Sequence, residues 1–135
     1  RAAEATVRAM GREPATRSPY RSESTMELAG LALADGLEPA AARLEQSPQD
    51  YEPMFLAILG YYRFGAATHS QEVRDALTLM TLSQPYFEND TVGLAMASAH
   101  ERLGEKDAAR QLLTDLLERS PGLAPARERL EALAD

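Results

Sequence analysis

The sequence has no cysteine, few β-branched residues and no apolar run of eighteen residues. Without cysteine, the chain can form neither a disulfide framework nor a thiolate site. The absence of a long apolar run excludes a membrane-spanning helix within these 135 residues. Alanine and leucine dominate and strand-like alternation is missing, so we predict an all-α domain that is large enough for one proper core.

The residue patterns of common catalytic sites are also missing. There is no glycine-rich phosphate loop and no nucleophile elbow. The two histidines, His69 and His100, lie far apart, and neither has a second ligand at metal-binding spacing. Glu101 and Glu105 fall on predicted solvent-facing surfaces. We therefore predict no catalytic residue, no metal and no cofactor; an enzyme would require His100 to face solvent with a carboxylate in reach.

Charge is distributed unevenly around the net value of −7. Residues 1–21 carry five arginines against two glutamates, a balance of +3, whereas residues 22–135 carry nine cations against nineteen anions, a balance of −10. The acidic body argues against nucleic-acid binding, because phosphates would be repelled. Arginine outnumbers lysine thirteen to one, which points to a GC-rich bacterial source.

Residues 1–21 are interpreted as a basic linker or tail. Ala2 to Met10 can form a short helix that stops at Gly11, after which prolines interrupt the periodicity. Since the chain begins at Arg1 and not at methionine, we read it as a piece of a longer protein. If a membrane helix precedes it there, the basic residues would favour the cytoplasmic side.

Residues 90–121 contain two segments in which apolar residues recur at spacings of three and four. This spacing is typical of helices with one apolar face. Gly104 separates the segments and suits the position just past a helix end, where the backbone turns left-handed. Pro121 closes the second segment, because proline cannot continue a helix. The pattern predicts a helical hairpin of 32 residues that needs neighbours to cover its apolar faces.

The same organisation recurs earlier in the chain. We predict hairpins at about 22–48, 50–85 and 88–121, each closed by a proline, with successive prolines 37 and 36 residues apart. In the first hairpin, Ser22 or Ser24 can cap the first helix, and the second helix directs its apolar residues inward. Those residues are Leu37, Ala41 and Leu44.

The second hairpin is the most apolar of the three. Its first helix begins after a possible cap at Asp50 and is apolar nearly all round from residue 54 to 64, so we predict the most enclosed position for it. Ser70 is the predicted cap of the helix that follows. A final helix, at 123–134, has one apolar face and looks like the solvated end cap of a repeat stack. That face consists of Leu123, Ala126, Leu130 and Leu133.

The hairpin at 88–121 resembles a tetratricopeptide repeat. The likeness places Ala97 at the small position of the first helix, Gly104 at the turn glycine and Ala109 where the helices cross. His100 stands where the family usually has tyrosine, and Pro121 is the closing proline. The sequence departs from the pattern at three further positions, with glycine for tryptophan, methionine for leucine and leucine for a small residue. These are Gly93, Met96 and Leu116.

The resemblance implies a right-handed α-α superhelix over residues 22–135, with about three hairpins and a C-terminal capping helix. It also implies a concave groove, lined by the first helix of each hairpin, that takes a partner peptide or helix. Aromatic and arginine side chains are frequent anchors at such surfaces. The predicted groove residues are Phe55, Leu59, Tyr62, Arg63, Leu94, Ser98, Glu101 and Arg102, flanked by Glu52 and Thr91.

Two readings of this groove remain open. In the first it is a mostly apolar binding surface, which favours an amphipathic helix or extended apolar segment as ligand. The lysine and asparagine residues with which chaperone-binding members of the family hold a terminal carboxylate are absent from these groove positions. In the second reading, Phe55, Leu59 and Tyr62 belong to the core and are covered by the N-terminal helix.

The sequence thus favours a non-catalytic scaffold or adaptor that binds a protein partner. From the way bacteria use this repeat, we expect it in a larger assembly for secretion, pilus formation or exopolysaccharide export. The alternative is a self-association or structural module of a membrane-anchored protein, with the anchor outside this chain. A cytoplasmic location is favoured and a periplasmic one is the alternative.

Overall fold

The structure, a computed structural model, describes residues 23–46 and 51–134. In these two ranges the chain forms seven α-helices and no strand, which confirms the all-α prediction. The predicted tail at 1–21 and the predicted residues Ser22, Pro48 and Asp50 lie outside the described residues. The helices are α1 (Glu23–Asp35), α2 (Leu37–Gln46), α3 (Glu52–Ala66), α4 (Ser70–Ser83), α5 (Asp90–Arg102), α6 (Lys106–Arg119) and α7 (Ala124–Ala132).

Consecutive helices pack as pairs. Hairpin 1 (α1 and α2), hairpin 2 (α3 and α4) and hairpin 3 (α5 and α6) each have their most extensive contacts within the pair. Hairpin 1 then packs on hairpin 2, hairpin 2 on hairpin 3, and α6 on α7. Among the described residues, no extensive contact joins hairpin 1 to hairpin 3. Contacts therefore connect successive units along the chain.

Each junction between units has its own apolar core. The first junction, between hairpins 1 and 2, buries large leucines that include Leu28, Leu56 and Leu79. The second junction, between hairpins 2 and 3, combines alanines with larger apolar residues around Met80. The third junction, between hairpin 3 and α7, closes around Ala126, which is fully buried. Nearest-neighbour cores of this kind are what stacked repeats use in place of one central core.

Local signals set the ends of several helices. Gly104 has a φ of +78° just after α5, the left-handed conformation that its position in the sequence predicts. The Asn89 side chain accepts a hydrogen bond of 3.0 Å from the backbone N–H of Val92 and caps the start of α5. Pro85 and Pro121 lie in the turns that follow α4 and α6.

One predicted cap was wrong. Helix α4 begins at Ser70 itself, so its cap position is His69, and Glu72 instead accepts a 2.8 Å hydrogen bond from the backbone N–H of Thr68. Helix ends are defined only to within a residue or two by sequence. Helix α1 begins at Glu23, so Ser24 lies in its first turn, and the other candidate cap, Ser22, lies outside the described residues.

The inward face of α2 also differs from the prediction. Leu37 is 38% exposed, whereas Ala40 and Leu44 are fully buried. Leu37 is the first residue of the helix and follows Gly36, whose φ is +100°. The buried pair Ala40 and Leu44 has the spacing of four that defines one helix face. Leu37 lies on the same face by its spacing of three and seven, but it is at the very start of the helix, where its side chain is only partly covered.

Two glycines mark the closest approach of helices within hairpins. A Cβ on Gly60 would lie 2.8 Å from the Met80 side chain and 2.9 Å from the carbonyl oxygen of Ala76. A Cβ on Gly93 would lie 2.8 Å from the Leu116 side chain. Gly93 and Leu116 are both departures from the repeat pattern, and the leucine fills the space that the glycine leaves open.

Candidate functional site

An open groove runs along one face of the molecule, with α3 and α5 as its walls. This main groove has a volume of about 1090 Å³. Met26 of α1 stands at its edge, and the turn before α5 contributes Phe87 and the capping residue Asn89. The lining is mostly apolar: Met26, Met54, Ile58, Leu59, Tyr61, Tyr62, Phe87, Asn89, Thr91 and Val92.

A second, smaller groove continues from the first toward α7. This side groove has a volume of about 430 Å³ and shares Tyr61, Tyr62 and Thr91 with the main groove. Because the two share three residues, they form one continuous surface. The side groove is lined by Tyr61, Tyr62, Phe64, Gly65, Thr91, Leu94, Ala95, Ser98 and Arg129.

Helix α3 has two apolar stripes, and this is the origin of the groove. Its core stripe includes Phe55, Leu56 and Gly60, which are buried. Its second stripe, Met54, Ile58, Leu59, Tyr61 and Tyr62, faces the main groove at spacings of three, four and eight. The prediction that α3 is the most enclosed helix was therefore wrong: one stripe packs on α4 and the other stays open, with Tyr62 69% exposed.

Four of the predicted groove residues line the continuous surface. Leu59 and Tyr62 line the main groove, and Tyr62, Leu94 and Ser98 line the side groove. Phe55 is only 9% exposed, and its ring stacks on Tyr51 with centroids 5.9 Å apart. Phe55 therefore belongs to the core, whereas Leu59 and Tyr62 line an open surface.

The other predicted groove residues lie outside both linings. Arg63 is exposed on a different side of α3. Arg102 donates a 3.3 Å hydrogen bond to the carbonyl oxygen of Ala67, and its guanidinium carbon lies 5.3 Å from the centre of the Phe64 ring. Arg102 thus links hairpin 3 to hairpin 2.

Two carboxylates that were predicted to face the groove or its flank are instead engaged within the protein. Glu101 accepts a 2.5 Å hydrogen bond from Arg129, so it connects α5 to α7. Glu52 is 2% exposed and lies 3.4 Å from Arg43 of α2. Both groups act between helices, which a single-helix pattern does not predict.

His100 belongs to a polar cluster at the second junction. Its Nδ1 lies 2.8 Å from Oε1 of Glu105, and Arg74 of hairpin 2 donates a 2.8 Å hydrogen bond to the other carboxylate oxygen. The bond from Arg74, followed by the contact with His100, lowers the pKa of Glu105 from its ordinary 4.5. This keeps the carboxylate ionised and paired with the cation of the neighbouring hairpin.

An enzyme was predicted to require a solvent-facing His100 with a carboxylate in reach, and this cluster meets the second condition only. A carboxylate is within reach of His100, but the His100 side chain is 20% exposed and lines neither groove. In the chain outside residues 1–22, 47–50 and 135, no three His, Asp or Glu side chains come together as a metal site would require. Over the same residues, no helix combines the length and apolarity needed to cross a membrane.

Several groove residues were not identified from the sequence. The spacing of Met54, Ile58 and Tyr61 is visible in the sequence as a second helical stripe and could have indicated them. Met26 and Phe87 carry no such signal, because they come from α1 and from the turn after α4. Only the packing of three hairpin units brings them to one surface.

No family model, curated protein sequence or solved structure matches this chain.

Proposed function

We propose that this chain is a non-catalytic interaction module of the tetratricopeptide type, which binds a peptide or amphipathic helix of a protein partner in the main groove. The observation that carries the proposal is the exposure of large apolar side chains along the groove: Met26 is 41% exposed, Tyr61 37% and Tyr62 69%. Contiguous exposed apolar surface of this kind is rare on proteins that have no use for it.

The chemistry of the lining supports an apolar ligand. Among the described residues that line the two grooves, the single charged one is Arg129, and it is paired with Glu101 at 2.5 Å. Methionine side chains such as Met26 and Met54 adapt their shape to different apolar ligands. Tyrosines are enriched among residues that dominate binding energy. An amphipathic helix with anchors at spacings of three, four and seven would suit this surface.

The sequential packing of hairpins is compatible with a repeat stack, and we propose the right-handed superhelix for it. On the strength of the resemblance alone, we also place the module in a larger bacterial assembly for secretion, pilus formation or exopolysaccharide export. The alternative, a self-association module of a membrane-anchored protein, would use the same exposed groove with a second copy as occupant.

Photo-crosslinking in the native host tests the groove directly. A photoreactive phenylalanine analogue replaces Tyr62, and the matched control places it at Tyr86, which is 48% exposed and lines neither groove. We expect a partner adduct at position 62 and not at 86, identified by mass spectrometry. With the partner identified, Tyr62→Ala is expected to weaken its binding at least tenfold, as about 1.4 kcal/mol of lost anchor energy requires.

Equal adducts at both positions, or unchanged affinity of Tyr62→Ala, would contradict the groove as the binding site. An adduct at position 62 that proves to be a dimer of this chain would favour the self-association alternative. Light scattering over a range of concentrations then checks whether that dimer forms in solution.

A further inference from the structure

We infer that the partner helix bound in the main groove is cationic: an amphipathic helix that carries lysine or arginine side chains beside its apolar anchors. The preference for a cationic partner rests on the proposed function, since it concerns the same surface. Apolar contacts alone do not distinguish a basic amphipathic helix from an acidic one. The charges and aromatic rings at the grooves make that distinction.

The cation in the groove lining is already engaged by the protein itself. Arg129 donates a 2.5 Å hydrogen bond to Glu101 and a 3.3 Å hydrogen bond to the carbonyl oxygen of Leu94. Arg63 is exposed but lies outside both linings. An acidic side chain of a partner would therefore lose water at the groove and find no unpaired cation in the described lining to replace it.

A carboxylate stands at the edge of the main groove. Glu88 is exposed in the turn before α5 and lines a small depression beside the groove. The other charged residues of that depression are engaged: Asp115 accepts a hydrogen bond from Gln111, and Arg119 pairs with Asp90. Among the described residues, Glu88 has no ionic partner, so a lysine or arginine of the bound helix can supply one. Three residues of the depression also line the main groove, namely Phe87, Asn89 and Val92.

The tyrosines of the groove add aromatic faces that attract cations. The rings of Tyr61 and Tyr62 have centroids 5.6 Å apart and planes inclined by 76°, so their faces point in different directions. No cation of the described residues lies over either ring. Phe64 of the side groove already has the guanidinium of Arg102 at 5.3 Å from its ring centre. The same type of contact is open to a partner cation at Tyr62, which is 69% exposed.

The charge of the whole chain acts in the same direction. Residues 22–135 carry a balance of −10. A surface of one sign speeds the approach of an oppositely charged partner and slows that of a partner with the same sign. At physiological salt this attraction extends only about 8 Å, so it selects among partners that are already close to the surface.

Two synthetic amphipathic peptides of equal length test the preference on the full chain. Both have leucine anchors at spacings of three, four and seven and one tryptophan, and their polar positions are lysine in one peptide and glutamate in the other. Because the chain has no tryptophan, peptide fluorescence reports binding. We expect the lysine peptide to bind about tenfold more tightly, as several exposed charge and ring contacts together provide. Equal affinities, tighter binding of the glutamate peptide, or no binding of the lysine peptide would overturn the inference.

Matched variants distinguish the groove edge from the general charge of the protein. Glu88→Gln removes the carboxylate beside the main groove, and Glu118→Gln makes the same charge change on α6, where Glu118 is exposed and lines neither groove. Glu88→Gln should weaken binding of the lysine peptide by about two- to fivefold, the usual range for one exposed ion pair, and Glu118→Gln should leave it unchanged. Equal weakening by both variants would assign the preference to the acidic surface as a whole and would refute the role given to the groove edge.

The inference and the proposed function fail separately. If the two peptides bind equally and Tyr62→Ala weakens both, the groove is a binding site without the cationic preference. The partner segment that crosslinks at position 62 gives the same test in the native host. It should contain more lysine and arginine than aspartate and glutamate. A crosslinked segment with an acidic or even balance would refute the cationic preference and leave the groove as the binding site.

Discussion

The first and second junctions join similar helical hairpins with different side chains. The first junction is filled by large leucines, including Leu28, Leu56 and Leu79, and its ion pair uses Glu52, which is 2% exposed. The second junction combines four alanines with larger valine, leucine and methionine side chains around Met80, and Arg74 pairs with Glu105 at its exposed edge. The two interfaces therefore differ in the size range of their apolar side chains and in the burial of their acidic partner.

The second junction leaves an adjacent groove open. Its core joins α3, α4 and α5 through residues that include Ala57, Met80 and Met96. The large side chains Ile58, Tyr61 and Tyr62 are not members of that core and line the main groove. Polar contacts, such as the hydrogen bond from Arg102 to the carbonyl oxygen of Ala67, also join hairpins 2 and 3 outside the main groove.

The largest expected effects come from neighbouring residues on α4 that face opposite junctions. Leu79 and Met80 are both fully buried, Leu79 in the first junction and Met80 in the second. Leu79→Ala and Met80→Ala should each lower the free energy of unfolding by about 2–5 kcal/mol in urea titrations, because each leaves a cavity.

Hydrogen exchange should separate the two variants. Leu79→Ala is expected to speed amide exchange mainly in α1 and α2, and Met80→Ala mainly in α5, because each hairpin depends on its nearest neighbours. The same exchange pattern in both variants would mean that the junctions are not independent units.

A smaller effect is expected from the glycine that sets the close approach beside Met80. Gly60→Ala should cost about 1–3 kcal/mol of unfolding free energy, because the new Cβ meets the backbone oxygen of Ala76 as well as a side chain. Gly93→Ala is the control: its Cβ would meet the buried Leu116 side chain but no backbone atom, so a smaller loss than for Gly60→Ala is expected, partly offset by the better helix propensity of alanine. Thermal unfolding of both variants measures the difference, and equal losses would contradict it.

The smallest effect is expected at the charged edge of the second junction. The paired state lowers the pKa of Glu105 from 4.5, so its stabilisation is present above pH 4.5 and is lost as the pH falls through the lowered pKa. Glu105→Gln should therefore be less stable than the parent chain near neutral pH and should approach it below pH 4.5. High salt should shrink the difference, because the group is exposed. A difference that grows on acidification would rule out this account.

Helix positions were largely predictable from sequence because they depend on local signals. The predicted hairpin at 88–121 is observed as α5 and α6, divided at Gly104 as expected. Caps were less predictable: His69, which has no capping hydrogen bond, took the position assigned to Ser70. Ser70 instead begins the helix, and Glu72 in the first turn accepts hydrogen bonds from both the backbone N–H and the hydroxyl of Thr68.

The candidate site was predictable only in part. Tyr62 and Leu94, two of the predicted groove residues, line the observed grooves, and both positions follow from helical spacing on α3 and α5. Phe55 lies on the same helix as Tyr62 but belongs to the core. Glu101 and Arg102 were assigned to the groove, yet Arg129 and Ala67, residues of other units, hold them elsewhere. Contacts between residues that are 28 and 35 positions apart in the chain cannot be predicted from the local sequence pattern of one helix.

The sequence by itself determined that the described part of this chain is helical and, to within a residue or two, where its helices end, because apolar periodicity and the glycine and proline positions act within a few residues. Tertiary structure alone decided which apolar stripe of α3 became core and which became groove. The two stripes are similarly apolar, so the choice depends on where α1, α4 and α5 come to lie. The face that packs closely through Gly60 against Met80 is buried, and the face with Tyr62 is left open.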